Sequence, residues 1–212
     1  MQRFDIITEA DARILDVGST VELAANGHIT PLARDTLAAR RVTVVPAGAA
    51  DPALPTDLAP VADVRRVAIG SDHSGIALKR ALVTHLRGRG LAVADLGTDK
   101  ADPVDYPDIA AAVGRSVARG ESDAGIVIDG AGIGSAIAAN KIRGVRAAMC
   151  PDETIARYSR EHNGANVLAL GATLVTQDEA RAIVTTWLTT AMREPRYIRR
   201  LAKIRDLERR PK

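Results

Sequence analysis

The stretch between residues 124 and 141 constrains the fold more than any other part of the chain. It begins with a short apolar, β-branched run at residues 125–128, which is too short for a helix and is typical of a buried strand. Asp129 follows this strand, and three glycines then lead into a helical segment: Gly130, Gly132 and Gly134. Glycine permits a sharp turn that brings backbone N–H groups and the helix dipole against negative charge. We therefore expect an anion or oxyanion above Asp129, although a plain strand-to-helix turn with a solvated carboxylate has the same pattern.

The rhythm of the chain after Arg66 indicates the fold class. Short apolar strands alternate with amphipathic helices as far as about residue 190. Such alternation predicts a parallel sheet with helices on both faces. Because crossovers between parallel strands are right-handed, we expect an α/β, doubly wound, Rossmann-like fold with five strands in the order 2-1-3-4-5.

Two other segments differ in character from this domain. Residues 1–60 are expected to form a small extension that ends in a proline-rich linker at residues 46–60, and residues 61–212 to form the main domain. A module of about 45 residues could hardly hold a core of its own. Residues 193–212 carry nine Lys/Arg against three Asp/Glu, interleaved with apolar residues at helical spacing, so we expect an amphipathic helix docked by its apolar face.

Composition and spacing exclude several classes of function. One Phe, one Trp and three Tyr leave little for base stacking, so we expect no nucleic-acid partner. The glycine spacing matches neither the dinucleotide fingerprint nor the P-loop. A single cysteine, Cys150, excludes an internal disulfide framework, and no long apolar run or signal-peptide pattern is present. We therefore expect a cytoplasmic protein with no membrane partner.

Three polar clusters fall beside the carboxyl ends of the predicted strands. They lie at residues 71–75, at Asp129 with its glycine loop, and at residues 161–163. Two Asp, two His and an Asn at one sheet edge favour a shared site. Ser-His-Asp hydrolysis would be possible from these residue types, but the nucleophile-elbow motif is missing. No His-x-x-x-His or cysteine pair supports a metal site.

The chain also resembles a known family over about residues 66–205. The matching motifs are Gly70–Gly75, Asp105–Asp108, Gly130–Gly134, Ala138–Lys141, Ser159–Asn163 and Ala165–Leu168, followed by late arginines. Together they resemble the type B ribose-5-phosphate isomerases, a family that includes the galactose-6-phosphate isomerase subunits. The resemblance implies an aldose–ketose isomerase that acts on a phosphorylated sugar without a metal or another cofactor.

Site roles follow from the same resemblance. It implies that His162 opens the sugar ring, that Asn163 contacts the sugar, and that Asp72 and Tyr106 line the sugar pocket. His73, Arg196 and Arg200 are expected to hold the phosphate. The N–H groups of the glycine loop, at Gly130, Gly132 and Gly134, are expected to stabilise an enediolate.

Several positions depart from the family pattern. Asp129 stands where many members carry a cysteine base, and Ser135 stands where others carry a glutamate. Asp129 therefore remains as the base that takes the C2 proton. Ala131 replaces a hydroxyl residue, Thr173 an arginine, and Tyr197 a histidine. The favoured substrate is ribose 5-phosphate. The alternatives are another sugar phosphate, or a non-catalytic relative that binds a sugar phosphate.

Partners are predicted from two features. Because the basic helix must supply arginines to a crowded sheet edge, we expect a homodimer or tetramer in which the neighbouring subunit completes each pocket. Residues 7–13 and 29–34 resemble N-terminal segments of ethanolamine-utilisation and related bacterial microcompartment proteins. This resemblance implies docking of residues 1–60 to a microcompartment shell or a companion enzyme. Because the polar clusters all lie after Arg66, we expect residues 1–60 to be dispensable for the chemistry.

Overall fold

The computed structural model describes residues 2–47, 55–192 and 194–209. The chain divides into two compact units, Met1–Pro55 and Thr56–Lys212. The second unit therefore includes residues 56–60, which the sequence analysis placed in the linker. The middle of that predicted linker, residues 48–54, lies outside the described residues.

The first unit is a three-stranded parallel sheet with two helices. Its elements are β1 (Arg3–Ile7), α1 (Glu9–Ile14), β2 (Thr20–Ile29), α2 (Pro31–Ala39) and β3 (Thr43–Pro46), and the strand order is β1-β2-β3. Thr8 and Asp11 form a capping box that starts α1. Ile7, Val21 and Leu37 belong to a cluster of buried apolar side chains. This unit therefore has a small core, which the sequence analysis did not expect of a segment so short.

The second unit contains the five-stranded sheet. Its strands are β4 (Arg66–Ser71), β5 (Ala92–Asp95), β6 (Ala124–Asp129), β7 (Ala147–Met149) and β8 (Val167–Gly171). All neighbouring strands pair in parallel. Its α-helices are α3 (Ile76–Gly88), α4 (Tyr106–Ala118), α5 (Ile133–Ala139), α6 (Glu153–Glu161), α7 (Gln177–Thr189) and α8 (Pro195–Arg209).

The parallel five-stranded sheet is confirmed, but the order of its last two strands needs correction. The observed order is β5-β4-β6-β8-β7, which corresponds to 2-1-3-5-4 rather than 2-1-3-4-5. Every residue of β8 is buried, whereas the three residues of β7 are half-buried. A fully apolar strand is stabilised more by a central place, because both of its faces are then covered. The short strand β7 takes the edge instead.

Helices cover both faces of the sheet. Neighbouring residues of one strand point to opposite faces, so Ile126 packs in one apolar cluster and Val127 in another. The first cluster includes Leu82 of α3 and Trp187 of α7. The second includes core residues of α4 and α5. This double covering leaves the carboxyl ends of the strands as the place where loops can build a site.

The basic C-terminal segment forms the expected amphipathic helix, α8. Tyr197 and Leu201 near its beginning are buried, but Ile204 and Leu207 are exposed. The helix therefore docks through only part of the predicted apolar stripe. Over the described parts of the chain, no helix combines the length and apolar character needed to cross a membrane.

Candidate active site

Asp72 and Asp129 lie beside each other at the carboxyl edge of the sheet. Strand β4 pairs with β6, and the backbone N–H of Asp72 donates to the carbonyl oxygen of Ile128 at 3.2 Å. Asp129 ends β6 and pairs with Gly171, the last residue of β8. The carboxyl ends of three adjacent strands thus meet at one edge. The expectation that residues 161–163 lie at this edge as well is wrong, because they precede the amino end of β8.

The glycine loop is folded around the carboxylate of Asp129, which is only 5% exposed. Its Oδ1 accepts from the N–H of Ala131 at 2.9 Å and also from the N–H of Gly132. Its Oδ2 accepts from the N–H of Ser135 at 2.7 Å. The N–H of Gly132, expected to face an enediolate, is therefore engaged by Asp129. These amides hold the carboxylate in one orientation and stabilise its negative charge.

Two glycines of this loop leave no room for a side chain beside their present neighbours, and the backbone itself requires glycine at Gly132. Gly132 has a φ of +76°, a left-handed conformation that disfavours side chains, and a Cβ there would lie 2.8 Å from the carbonyl carbon of Leu170. A Cβ on Gly134 would lie 2.5 Å from Cζ of Tyr106. The ring of Tyr106 therefore lies directly against the glycine loop.

Asp72 and His73 stand next to this loop. Oδ1 of Asp72 accepts from the N–H of Ser74 at 2.9 Å and from the Ser74 hydroxyl at 2.5 Å. Asp72 thus caps a short 3-10 turn, and its side chain is largely buried. The imidazole of His73 is exposed, and its Nδ1 accepts from the N–H of Val104 at 3.4 Å.

Thr173 has a role that the sequence analysis did not assign. Both its N–H and its hydroxyl donate to the carbonyl oxygen of Gly130, at 3.0 and 2.7 Å. Thr173 therefore holds the beginning of the glycine loop in place. We call Asp72, His73, Tyr106, Asp129 and residues 130–134 the glycine-loop group.

The remaining predicted residues form a second group around His162. Its ring stacks on Tyr158 with 4.8 Å between centroids and an interplanar angle of 16°, and it meets Tyr197 at 4.8 Å and 35°. His162 follows α6 as its C-cap, and the side-chain N–H of Asn163 donates to the carbonyl oxygen of Tyr158 at 3.0 Å. Tyr158 was missed by the sequence analysis, although its spacing of four residues from His162 places both on one helix face.

Two arginines surround Tyr197 in the same group. Nη2 of Arg196 donates to the Tyr197 hydroxyl at 3.1 Å, and its guanidinium carbon lies 4.9 Å from the ring centroid. The guanidinium carbon of Arg200 lies 5.7 Å from the same centroid. Two guanidiniums on one aromatic ring make a cationic surface suited to a phosphate. We call His162, Asn163, Arg196, Tyr197 and Arg200 the histidine–arginine group.

Over the described residues, no hydrogen bond, ion pair or ring contact connects the two groups. A cavity of about 430 Å³ lies at the opposite edge of the sheet, beside the amino ends of the strands. Its lining includes Arg66, Asp123 and Asn166 but none of the predicted site residues. No group of three His, Cys, Asp or Glu side chains suited to a metal ion occurs in the described part of the chain.

Comparisons with known proteins match the second unit. A family model described as ribose/galactose isomerase matches residues 67–204. The chain is 42% identical over 147 residues to ribose-5-phosphate isomerase B of Escherichia coli, covering 69% of this chain and 99% of that protein.

Solved structures agree with this match. Ribose-5-phosphate isomerase B of Clostridium thermocellum aligns at 48% identity and a TM-score of 0.67, covering 68% of this chain and 97% of the other. The enzyme of Mycoplasma genitalium with bound ribulose-5-phosphate aligns at 38% identity and a TM-score of 0.66, covering 69% and 97%. The extension before residue 67 lies outside the family match, so its resemblance to microcompartment proteins stays a prediction. Through residues 67–204, this chain belongs to the ribose/galactose isomerase family.

Proposed function

We propose that this protein interconverts ribose 5-phosphate and ribulose 5-phosphate through an enediolate. The observation that carries the proposal is the carboxylate of Asp129, buried at the end of β6 and fixed by three backbone N–H groups. A base for proton abstraction from carbon must be positioned beside the substrate, and a rigid loop does this better than a mobile side chain. Relatives named ribose-5-phosphate isomerase B support the choice of substrate.

The reaction needs one base for the carbon-bound proton and one acid–base group for the ring. His162 would first open the ring and give the linear aldose. Asp129 then takes the proton from C2, and the electrons of that C–H bond form the C1=C2 double bond of the enediolate while the carbonyl pair moves to O1. Return of the proton to C1, with transfer of the O2 proton to O1, leaves the ketone at C2. Arg196, Arg200 and His73 bind the phosphate, which takes no part in these steps.

Completion of the site by a second copy is part of the proposal. The glycine-loop group holds the base, whereas the histidine–arginine group holds the ring-opening histidine and the phosphate arginines. Ile133, within the glycine loop at the start of α5, is 55% exposed, and Ile137, one turn further along that helix, is 57% exposed. A second subunit that covers this apolar face would bring its own histidine–arginine group to the neighbouring glycine loop.

A direct assay tests the activity. The purified protein is incubated with ribose 5-phosphate, and formation of ribulose 5-phosphate is followed, with a panel of other pentose and hexose phosphates alongside. Turnover of ribose 5-phosphate with the highest kcat/KM of the panel supports the proposal. Preference for another sugar phosphate would support isomerase chemistry but show that the proposed substrate is wrong. Binding without turnover of any of them would indicate a non-catalytic relative.

The role of the first unit is a separate matter. Its own small core supports an independent role for Met1–Pro55, and docking to a companion enzyme or a microcompartment shell stays a prediction. Co-purification of partners with the full chain but not with a chain lacking residues 1–55 would support it. Identical partners in both preparations would contradict it.

A further inference from the structure

Arg146 connects two segments that are far apart in the sequence. Its Nε donates to the carbonyl oxygen of Gly164 at 2.8 Å, and its Nη2 donates to that of Leu58 at 3.0 Å. Gly164 belongs to the turn at residues 162–165, which begins with His162 and Asn163. Leu58 belongs to residues 57–61, which we call the arm. One guanidinium thus bridges the arm and the turn.

Arg160 makes a second bridge of the same kind. Its Nη1 donates to the carbonyl oxygen of Ala165 at 2.9 Å, and its Nη2 donates to that of Val61 at 2.9 Å. The side chain is fully buried with its guanidinium carbon 4.6 Å from the centroid of the Trp187 ring, and burial lowers the pKa of Arg160 to about 10. Hydrogen bonds from a charged donor are stronger than neutral ones, especially where water is excluded. Each arginine therefore holds its two carbonyl oxygens firmly.

Neither arginine forms an ion pair with a carboxylate within the described residues, although the charges of Asp57 and Glu208 act on Arg146 from a greater distance. No Asp or Glu oxygen in that part of the chain lies within 4.0 Å of a nitrogen of Arg146 or Arg160. Burial also lowers the pKa of Arg146. Each guanidinium therefore relies on one carbonyl oxygen of the arm and one of the turn as hydrogen-bond acceptors. Release of the arm would remove one acceptor from Arg146 and one from Arg160.

The arm also packs against the turn from one side. Leu58 is buried, and a Cβ on Gly164 would lie 3.5 Å from Cδ of Pro60 and 2.6 Å from Cδ1 of Leu201 in α8. The carboxylate of Asp57 lies 3.3 Å from Nη1 of Arg205, also in α8. The turn is therefore enclosed between the arm and the helix that carries the phosphate arginines.

We propose that the arm is a positioning element for the turn that carries His162 and Asn163. The arm lies before residues 67–204, the region that the family shares, so this chain has added a support to a common site. The arm touches no substrate in the proposed reaction. Its expected effect on catalysis rests on that proposed function. The arm fixes the turn through Arg146 and Arg160, and thereby the direction from which the imidazole and the amide approach the sugar.

A double substitution in the full-length chain tests this role. Leu58→Gly with Pro60→Gly removes the buried side chain and the stiffness of the arm but leaves both arginines and every proposed site residue. We expect kcat for ribose 5-phosphate to fall by about tenfold, because small misplacements of reacting groups are costly. KM should change by less than about twofold, since the side chains proposed to bind the phosphate remain. Val64→Gly, which removes a buried side chain three residues beyond the arm, is the matched control and should keep the wild-type kcat.

A second measurement does not depend on turnover. In nuclear magnetic resonance spectra, the imidazole signals of His162 and the side-chain amide of Asn163 should shift in the arm variant, while the backbone amide of Ser135 stays in place. Amide hydrogen exchange at residues 57–61 verifies that the arm is released. Unshifted His162 and Asn163 signals with a released arm would overturn the proposal, as would a kcat equal to that of the control. If the wild-type protein does not isomerise ribose 5-phosphate, the proposed function fails, and the spectra still decide whether the arm positions the turn.

Discussion

The backbone N–H of Ser135 donates to Oδ2 of Asp129 at 2.7 Å, across the full width of the glycine loop. Through this bond and those from Ala131 and Gly132, the loop N–H groups bind the chain's own carboxylate at Asp129, whereas the sequence pattern predicted that they would bind an external anion. The proposed base and its support therefore come from the same loop.

Replacement of Asp129 tests its role as the base. Asp129→Asn keeps the size of the side chain but removes the proton acceptor, and kcat should fall by at least about 100-fold. KM should change little, because Arg196 and Arg200 are untouched. If the side-chain nitrogen of the new asparagine faces the N–H of Ser135, two donors meet without an acceptor, which lowers stability. The melting temperature is therefore measured alongside kcat. Ser135→Ala, which keeps the backbone N–H, is the control and should retain most activity. Near wild-type turnover by Asp129→Asn would assign the proton to another group, with Asp72 the next candidate.

The contact between Tyr106 and Gly134 gives a second prediction. Gly134→Ala places a methyl group where the Tyr106 ring now lies, so the ring must move away from the loop. We expect kcat/KM to fall by about 10- to 100-fold with little loss of stability, because the displaced group is the end of a side chain. Gly88→Ala, where a Cβ meets nothing within 4 Å, is the matched control. In the background of Tyr106→Ala, Gly134→Ala should cost much less. Equal losses in both backgrounds would contradict the contact.

Cys150 should be unreactive although it is the chain's only thiol. The side chain is 1% exposed, and burial raises the pKa of the Cys150 thiol to about 11. Because the thiol is protonated below its pKa, only about one molecule in a thousand carries the thiolate at pH 8. Iodoacetamide at pH 8 should therefore label the folded protein very slowly and the denatured protein fully, as measured by mass spectrometry. Rapid labelling of the folded protein would show that this region opens.

Much of the fold could be predicted because it depends on local patterns. Apolar strands such as β6 and the glycine spacing after Asp129 identify a parallel sheet and a loop at its carboxyl edge. The order of β7 and β8 could not be predicted, because both are apolar and short. Which of them takes the edge depends on burial of the finished sheet.

The geometry of the site was less predictable for a similar reason. Residue types and the family resemblance predict a site at Asp129 and His162, but the path of the loop that carries the N–H groups includes a left-handed residue, Gly132. The prolines of the linker suggested a separate spacer, and nothing local reveals that Arg146 and Arg160 bind the carbonyl oxygens of the arm. A backbone carbonyl oxygen is present at every position, so the residue types at Leu58 and Val61 do not indicate that their oxygens accept these hydrogen bonds.

Co-expression of two inactive variants tests whether a second subunit completes the site. Asp129→Asn damages the glycine-loop group, and His162→Gln damages the histidine–arginine group. If each site combines one group from each subunit, a mixed dimer has one intact site and one doubly damaged site. Random pairing should then restore about a quarter of the wild-type rate, whereas each variant alone stays nearly inactive. The same mixture should migrate as a dimer or larger in sedimentation. If the two groups instead meet within one chain, every site carries one defect, and the mixture would be no more active than its parents.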